Sequence, residues 1–96
     1  MNDDYRDVLQ ACPGGDLVSQ GLMDLAAGRV TAAAALVSIG APRLARLGIA
    51  VPAPLPSPES QLYRLLAAVD EDSAHGRFNA LVRRLVSFER ALACVR

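Results

Sequence analysis

Lysine and tryptophan are missing from this sequence, and histidine, cysteine and aromatic residues are scarce. All ten basic residues are arginine, four residues are aromatic, and there are two cysteines and one histidine. Two cysteines outside a CxxC motif exclude a disulfide-stapled scaffold and do not indicate zinc or redox chemistry. Because 52% of the residues are hydrophobic, the chain can still form a core. We expect that core to be aliphatic, built mainly from Ala, Leu and Val.

The sequence contains few of the residues and motifs that are typical of a catalytic site. His75 has no second histidine or nearby cysteine to complete a metal site, so we read it as a capping or surface residue, with a general base beside Arg77 as the alternative. Cys12 and Cys94 lack an adjacent base and are expected to act as small apolar residues. No G-x-S-x-G motif or glycine-rich phosphate loop is present. We therefore expect no enzymatic activity, no metal and no cofactor.

Charge and hydropathy place the chain in an aqueous compartment. The formal net charge is zero, which argues against long-range attraction to nucleic acid or anionic membranes. The start of the chain lacks the pattern of a signal peptide, and Arg29, Arg43 and Arg46 interrupt the best apolar run, so no membrane span is expected. Arginine without lysine, together with abundant alanine, glycine and proline, is typical of a GC-rich bacterial coding bias. We expect a bacterial, cytoplasmic protein.

Hydrophobic spacing and turn residues predict a single all-α domain over residues 1–96, a small bundle of five or six helices with a long amphipathic C-terminal helix as its spine. Residues 1–48 hold the N-terminal helices, residues 49–57 form a proline-rich strap, and residues 58–96 form a helical pair. Alternating prolines favour extended polyproline II in the strap. The predicted helices cover a first segment ending at Pro13 and then, approximately, residues 16–27, 32–39, 42–47, 58–70 and 74–95.

Several residues are predicted to begin or end these helices. The expected N-terminal capping residues are Asp16, Thr31, Ser57 and Ser73. Gly28 stands where a left-handed residue would end a helix. Ile49, Val51 and Leu55 are expected to seal one edge of the bundle from the strap.

The last helix carries the most regular apolar stripe of the chain, with steps of three and four residues from Phe78 to Val95. Its partner, the 58–70 helix, is too short to cover all of it. The heptad-like spacing fits a symmetric dimer in which this helix packs against its own copy. The predicted interface residues are Leu81, Leu85, Phe88, Leu92 and Val95. The alternative is a monomer in which the first three helices cover the stripe.

These features favour a non-enzymatic interaction module, either a homodimer or the small subunit of a bacterial complex, for example an antitoxin-like regulator. The alternative is a small nucleic-acid-binding regulator, since residues 77–96 carry five arginines against one glutamate and the 31–47 segment loosely resembles a helix-turn-helix. The residues for that role are Arg43, Arg46, Arg83, Arg84 and Arg90. A small-molecule pocket among the alanine-rich helices is a third, weaker reading.

Overall fold

The computed structural model describes residues 11–95, apart from the side chain of Val95, and in this part the secondary structure consists of helices joined by loops, without strands. The all-α prediction is confirmed. The first predicted helix lies mostly before residue 11, outside the described residues. The five helices of the described part are α1 (Gly15–Ala26), α2 (Ala32–Ile39), α3 (Ala41–Arg46), α4 (Pro58–Val69) and α5 (Ala74–Val95).

The short helix α2 lies at the centre of the bundle, where it packs against α1, α4 and α5. Residues 34–38 are all buried, as expected for a helix that is apolar around its whole circumference. The long helix α5 was expected to be the spine, but one apolar stripe can face the core from only one side. It therefore lies at the edge of the bundle, with its opposite face in solvent.

Small residues let α1 and α2 approach each other closely. A Cβ atom added at Gly21 would collide with the Ala33 carbonyl oxygen and would lie 2.8 Å from Val37 Cγ1. Glycine is therefore required in the middle of α1, although it is unfavourable there by roughly 1 kcal/mol relative to alanine. The helix tolerates this cost because the two backbones can then pack directly.

The helix ends follow the sequence prediction in part. The Thr31 hydroxyl accepts a hydrogen bond from Ala34 N at 3.1 Å and caps α2 as predicted. Gly28 has a φ of 76°, which confirms its left-handed conformation. The prediction for Asp16 is wrong, because α1 already begins at Gly15 and its N-cap is Gly14. Gly14 has a φ of 78°, and a Cβ there would lie 3.0 Å from the Arg84 carbonyl oxygen.

The segment between α3 and α4 bends instead of running straight. Ala53 and Ser57 both have positive φ values, 43° and 47°, which polyproline II does not allow. Proline fixes its own φ, so the chain can turn only at the residues between the prolines. The left-handed Ser57 makes no side-chain cap to α4, and its predicted capping role is therefore wrong.

The bends bring apolar side chains of this segment onto the bundle. Ile49 is buried, and Val51 and Leu55 pack against the core while half-buried. The buried Ser38 hydroxyl fixes the segment by accepting a hydrogen bond from Leu55 N at 3.0 Å. The same hydroxyl donates to the Ala34 carbonyl oxygen at 2.8 Å. The predicted seal from Ile49, Val51 and Leu55 is confirmed.

Helices α4 and α5 form a hairpin whose connecting turn projects beyond the core. The turn, residues 70–73, is stabilised by Asp72 N donating to Asp70 Oδ1 at 3.2 Å and by the Ser73 hydroxyl donating to the Asp70 carbonyl oxygen at 3.4 Å. The rings of Tyr63 and Phe78 are in contact across the hairpin, with centroids 6.2 Å apart.

Within the described residues, no helix combines the length and apolar character needed to cross a membrane.

Candidate interaction surfaces

The apolar stripe of α5 is used by the chain's own core. Leu85, Phe88 and Leu92 are each at most 2% exposed, and Leu81 is half-buried. The Val95 side chain lies outside the description. Leu85, Phe88 and Leu92 therefore have no free surface to offer a second chain. An Asp substitution at Phe88 or Leu92 would report on folding before it could report on association.

The five arginines predicted to contact nucleic acid fall into two groups. Arg43 Nε donates to Glu89 Oε1 at 2.8 Å, and Arg84 Nη2 lies 3.5 Å from Asp16 Oδ1. The other three, Arg46, Arg83 and Arg90, are exposed and have no ion pair with any residue of the 11–95 segment. The only acid on α5 is Glu89, which is buried. All the charged side chains on the solvent-exposed face of α5 are therefore basic.

A buried carboxylate, not anticipated from the sequence, holds the N-terminal end of α2 against α1. Asp24 is 3% exposed, yet both of its oxygens are hydrogen-bonded. Oδ1 accepts from Gln20 Nε2 at 2.8 Å and from Arg29 Nε and Nη2 at 3.1 and 3.0 Å. Oδ2 accepts from the Thr31 hydroxyl at 2.6 Å. Thr31 thus links Asp24 of α1 to the first turn of α2.

These donors hold the pKa of Asp24 below its ordinary value of 3.8. The Thr31 hydrogen bond contributes most, Gln20 comes next, and the bond and charge of Arg29 add to them, while burial opposes the shift. Hydrogen bonds from neutral and charged donors stabilise the ionised carboxylate. Asp24 is therefore an anion at neutral pH whose ligands all come from its own chain.

A second buried carboxylate, Glu89 of α5, lies at the C-terminal end of α2. Its side chain is 10% exposed and reaches Arg43 of α3 through one hydrogen bond. A Cβ at Gly40 would lie 2.9 Å from Glu89 Oε2 and 3.0 Å from Leu85 Cδ2, so the carboxylate rests against the backbone that joins α2 and α3. Glu89 Oε2 is buried and accepts no hydrogen bond. Such an oxygen leaves this contact less well satisfied than that of Asp24.

The residues considered for chemistry lie apart from one another. The His75 side chain is exposed and lies 3.3 Å from the amide nitrogen of Asn79, its neighbour one turn along α5. Cys12 is buried and Cys94 is exposed, and both are free thiols. No group of three potential metal-ligating side chains occurs in the part of the chain that the structure describes. His75 therefore occupies the surface position expected from the sequence.

Among residues 11–94, four large apolar side chains remain at the surface, in α1, in the loop after it, and in α4. They are Met23, Val30, Tyr63 and Val69, with exposures of 61%, 54%, 42% and 75%. Val69 is notable because it continues the stripe of Leu62 and Leu66, both of which are buried. The buried part of this stripe ends at Leu66, and Val69 lies in solvent beside the acidic turn.

Sequence reasoning missed Asp24, Ser38 and Glu89, which are the buried polar residues of the structure. A signal exists for Asp24, because Gln20 precedes it by one helical turn and Arg29 and Thr31 follow it closely. For Glu89 no local signal exists, since its partner Arg43 is 46 residues away.

No known family model, curated protein or solved structure matches this chain.

Proposed function

We propose that this protein is a small, non-enzymatic interaction module that acts by binding another protein chain, as a homodimer or as a subunit of a complex. The observation that carries the proposal is the exposed end of the α4 stripe. Val69 is 75% exposed although Leu62 and Leu66 of the same stripe are buried. A small core gains stability when a partner covers such an apolar end.

The use of the polar side chains supports a structural role over catalysis. Asp24 and Glu89, the two buried acids, are each bonded to an arginine of the same chain. Catalytic acids are typically aimed into a cleft with an unusual proton affinity. Here the carboxylates instead fix the two ends of α2. Their arrangement favours a rigid scaffold that presents a surface.

We place this module in a bacterial cytoplasm. The use of arginine without lysine supports the bacterial assignment. Cys12 and Cys94 are free thiols, one buried and one exposed, which suits a reducing compartment. In such a setting we expect this chain to act as the small subunit of a complex or as an antitoxin-like regulator.

Native mass spectrometry of the protein purified gently from its own host tests this proposal. We expect a peak at twice the chain mass or a heavier peak that contains a second protein. The matched variants are Val69→Ser and Met23→Ser, because both remove a large exposed apolar side chain but from different helices. Val69→Ser should lower the assembled fraction more than Met23→Ser. A bare monomer without any bound chain would contradict the proposal.

Nucleic-acid binding is the second candidate, favoured by the exposed face of α5, on which every charged side chain is basic. Arg83 and Arg90 are one heptad apart, about 10 Å along the helix, and neither is neutralised by a described acid. Binding through such a face should weaken steeply as salt is raised, because phosphate contacts release counterions.

Fluorescence anisotropy with labelled duplex DNA and single-stranded RNA at low and high salt measures this binding. Replacing Arg46, Arg83 and Arg90 together by Gln should abolish it, while Arg64→Gln on α4 serves as the control. Retained affinity in the triple variant, or no binding at low salt by the unmodified chain, would remove this candidate.

A further inference from the structure

The charges at the two ends of the α4–α5 hairpin surface are opposite and unpaired. Asp70, Glu71 and Asp72 in the turn are exposed, and their polar contacts lie within the turn. None of the three forms an ion pair with a described residue. Further along α5, Arg83 and Arg90 are likewise exposed and unpaired. The hairpin surface therefore carries a negative end and a positive stretch.

A single chain cannot bring these charges together. Asp72 and Arg83 are separated by eleven residues, ten of them in α5, which corresponds to about 16 Å along a rigid helix. An ion pair needs the charged atoms within about 4 Å. The helix itself therefore keeps Asp72 and Arg83 of one chain apart, whereas a second molecule can approach both charged groups at close range.

We propose that the outer surface of this hairpin binds a second copy of the same chain in an antiparallel, two-fold arrangement. Rotation about a two-fold axis near the second turn of α5 places Asp72 of one copy beside Arg83 of the other, and the symmetry repeats the same contact in reverse. In this arrangement Asp72 and Arg83 of both copies each lie beside an opposite charge. This self-complementarity favours a copy of the chain over an unrelated acidic or basic partner.

The side chains near the axis allow two helices to meet. Gly76 and Ala80 follow each other on the outward side of α5 one turn apart, and Arg83 continues the same side. A Cβ at Gly76 would have no atom within 4 Å, so this part of the helix is open. Val69 lies next to the acidic turn and adds the exposed apolar area that a charged rim alone lacks.

The inference rests on the proposed function and specifies its partner and contact. The test is a charge-swap experiment on the full chain, with dimer dissociation measured by sedimentation velocity at low salt. Arg83→Glu and Asp72→Arg should each weaken the dimer by about tenfold or more, because every substitution turns two attractive contacts into repulsive ones. The double variant should restore dimerisation, since the exchanged charges are again complementary. Arg64→Glu, an exposed arginine on α4, is the control and should leave dimerisation unchanged.

Neither Asp72 nor Arg83 forms an ion pair with a residue of the 11–95 segment, so circular dichroism should show an unchanged fold in every variant. A dimer that Arg83→Glu leaves intact, or a double variant no better than the single ones, would overturn this contact while leaving the proposed function in place. A complex formed only with a different protein would do the same. A monomer without any partner would overturn both.

Discussion

A buried carboxylate lies at each end of helix α2, and the two carboxylates differ in how completely they are hydrogen-bonded. At the N-terminal end, Asp24 of α1 is buried and accepts hydrogen bonds from Gln20, Arg29 and Thr31. At the C-terminal end, Glu89 of α5 is buried but accepts from Arg43 alone, with Oε2 unpartnered. Each pair combines an acid that is almost inaccessible with an arginine about half exposed.

The difference follows from sequence distance. The partners of Asp24 lie four to seven residues away, so the local chain geometry places several donors around it. Glu89 and Arg43 are 46 residues apart, and their approach depends on how α5 docks against α3. A buried carboxylate built locally can be fully bonded, whereas one that joins distant elements receives what the packing leaves within reach. We therefore expect the carboxylate at the N-terminal end of α2 to contribute more to the free energy of unfolding than the one at the C-terminal end.

The largest effect is expected from Asp24→Asn. An amide keeps one acceptor but turns an NH2 group toward donors from Gln20, Arg29 or Thr31, so buried donors would face each other. Urea denaturation should show a clear loss of unfolding free energy, larger than for any other substitution considered below. A variant as stable as the unmodified chain would show that this end of α2 does not depend on the carboxylate.

The pH dependence should come from the same residue. The folded pKa of Asp24 lies below its ordinary value of 3.8, so its contribution to stability is fully present above the unfolded pKa. It is lost as the pH falls through the folded pKa. Urea midpoints measured from about pH 7 down to pH 3 should decline, and Asp24→Asn should decline less steeply over the acidic part. Equal slopes in both proteins would contradict the assignment.

The next largest difference is expected between two alanine substitutions, one at Gly21, which packs on α2, and one at Gly40, at the C-terminal end of α2. The two variants should differ in their free energy of unfolding. At Gly21 the added methyl meets the backbone of α2, which cannot move without the helix, so we expect a net loss of about 1–2 kcal/mol after the gain in helix propensity. At Gly40 it meets the flexible tips of Glu89 and Leu85, and the change should stay within about 1 kcal/mol of zero.

Thermal and urea unfolding of both variants measure this difference. Gly76→Ala provides the matched control, because its site is open, and it should stabilise the protein by about 0.5–1 kcal/mol. A Gly40→Ala variant less stable than Gly21→Ala would reverse our ranking of the two ends.

The smallest effect is expected from Glu89→Gln. The amide oxygen can still accept from Arg43 Nε, and the substitution removes a buried charge whose second oxygen has no partner. The lost attraction and the avoided desolvation oppose each other, so the unfolding free energy should change by less than about 1 kcal/mol. Urea denaturation beside Asp24→Asn gives the comparison directly. A loss as large as that of Asp24→Asn would show that both ends depend equally on their acids.

Local patterns were enough to predict most of the helices. The bounds of α2 and α5 agree with the spacing of their apolar residues, and Thr31 and Gly28 occupy the ends expected of them. The errors came at Asp16 and Ser57, where tertiary contacts override local preference. Gly14 begins α1 because the α5 backbone lies against it, and the left-handed Ser57 belongs to the turns that bring Leu55 to the core.

The candidate surface was harder to predict, because the sequence of an apolar stripe does not show whether the stripe is covered by the chain's own core or by a second chain. Phe88 and Leu92 have the spacing of an interface and also that of a core, and periodicity is identical in the two cases. Val69 continues the spacing of the buried Leu62 and Leu66 and is nevertheless exposed, since nothing in the sequence marks where the core ends. The exposed charges of the hairpin could be read from the sequence, but not which of them already have partners.

The sequence by itself determined the helices, their approximate bounds and the aliphatic character of the core, because these depend on residues within a few turns of each other. Only the tertiary structure decided that α2 is central, that Glu89 meets Arg43, and that the chain's own core covers the apolar stripe of α5. These features depend on contacts between residues far apart in the chain, where shape and close packing select one arrangement among several with the same pattern.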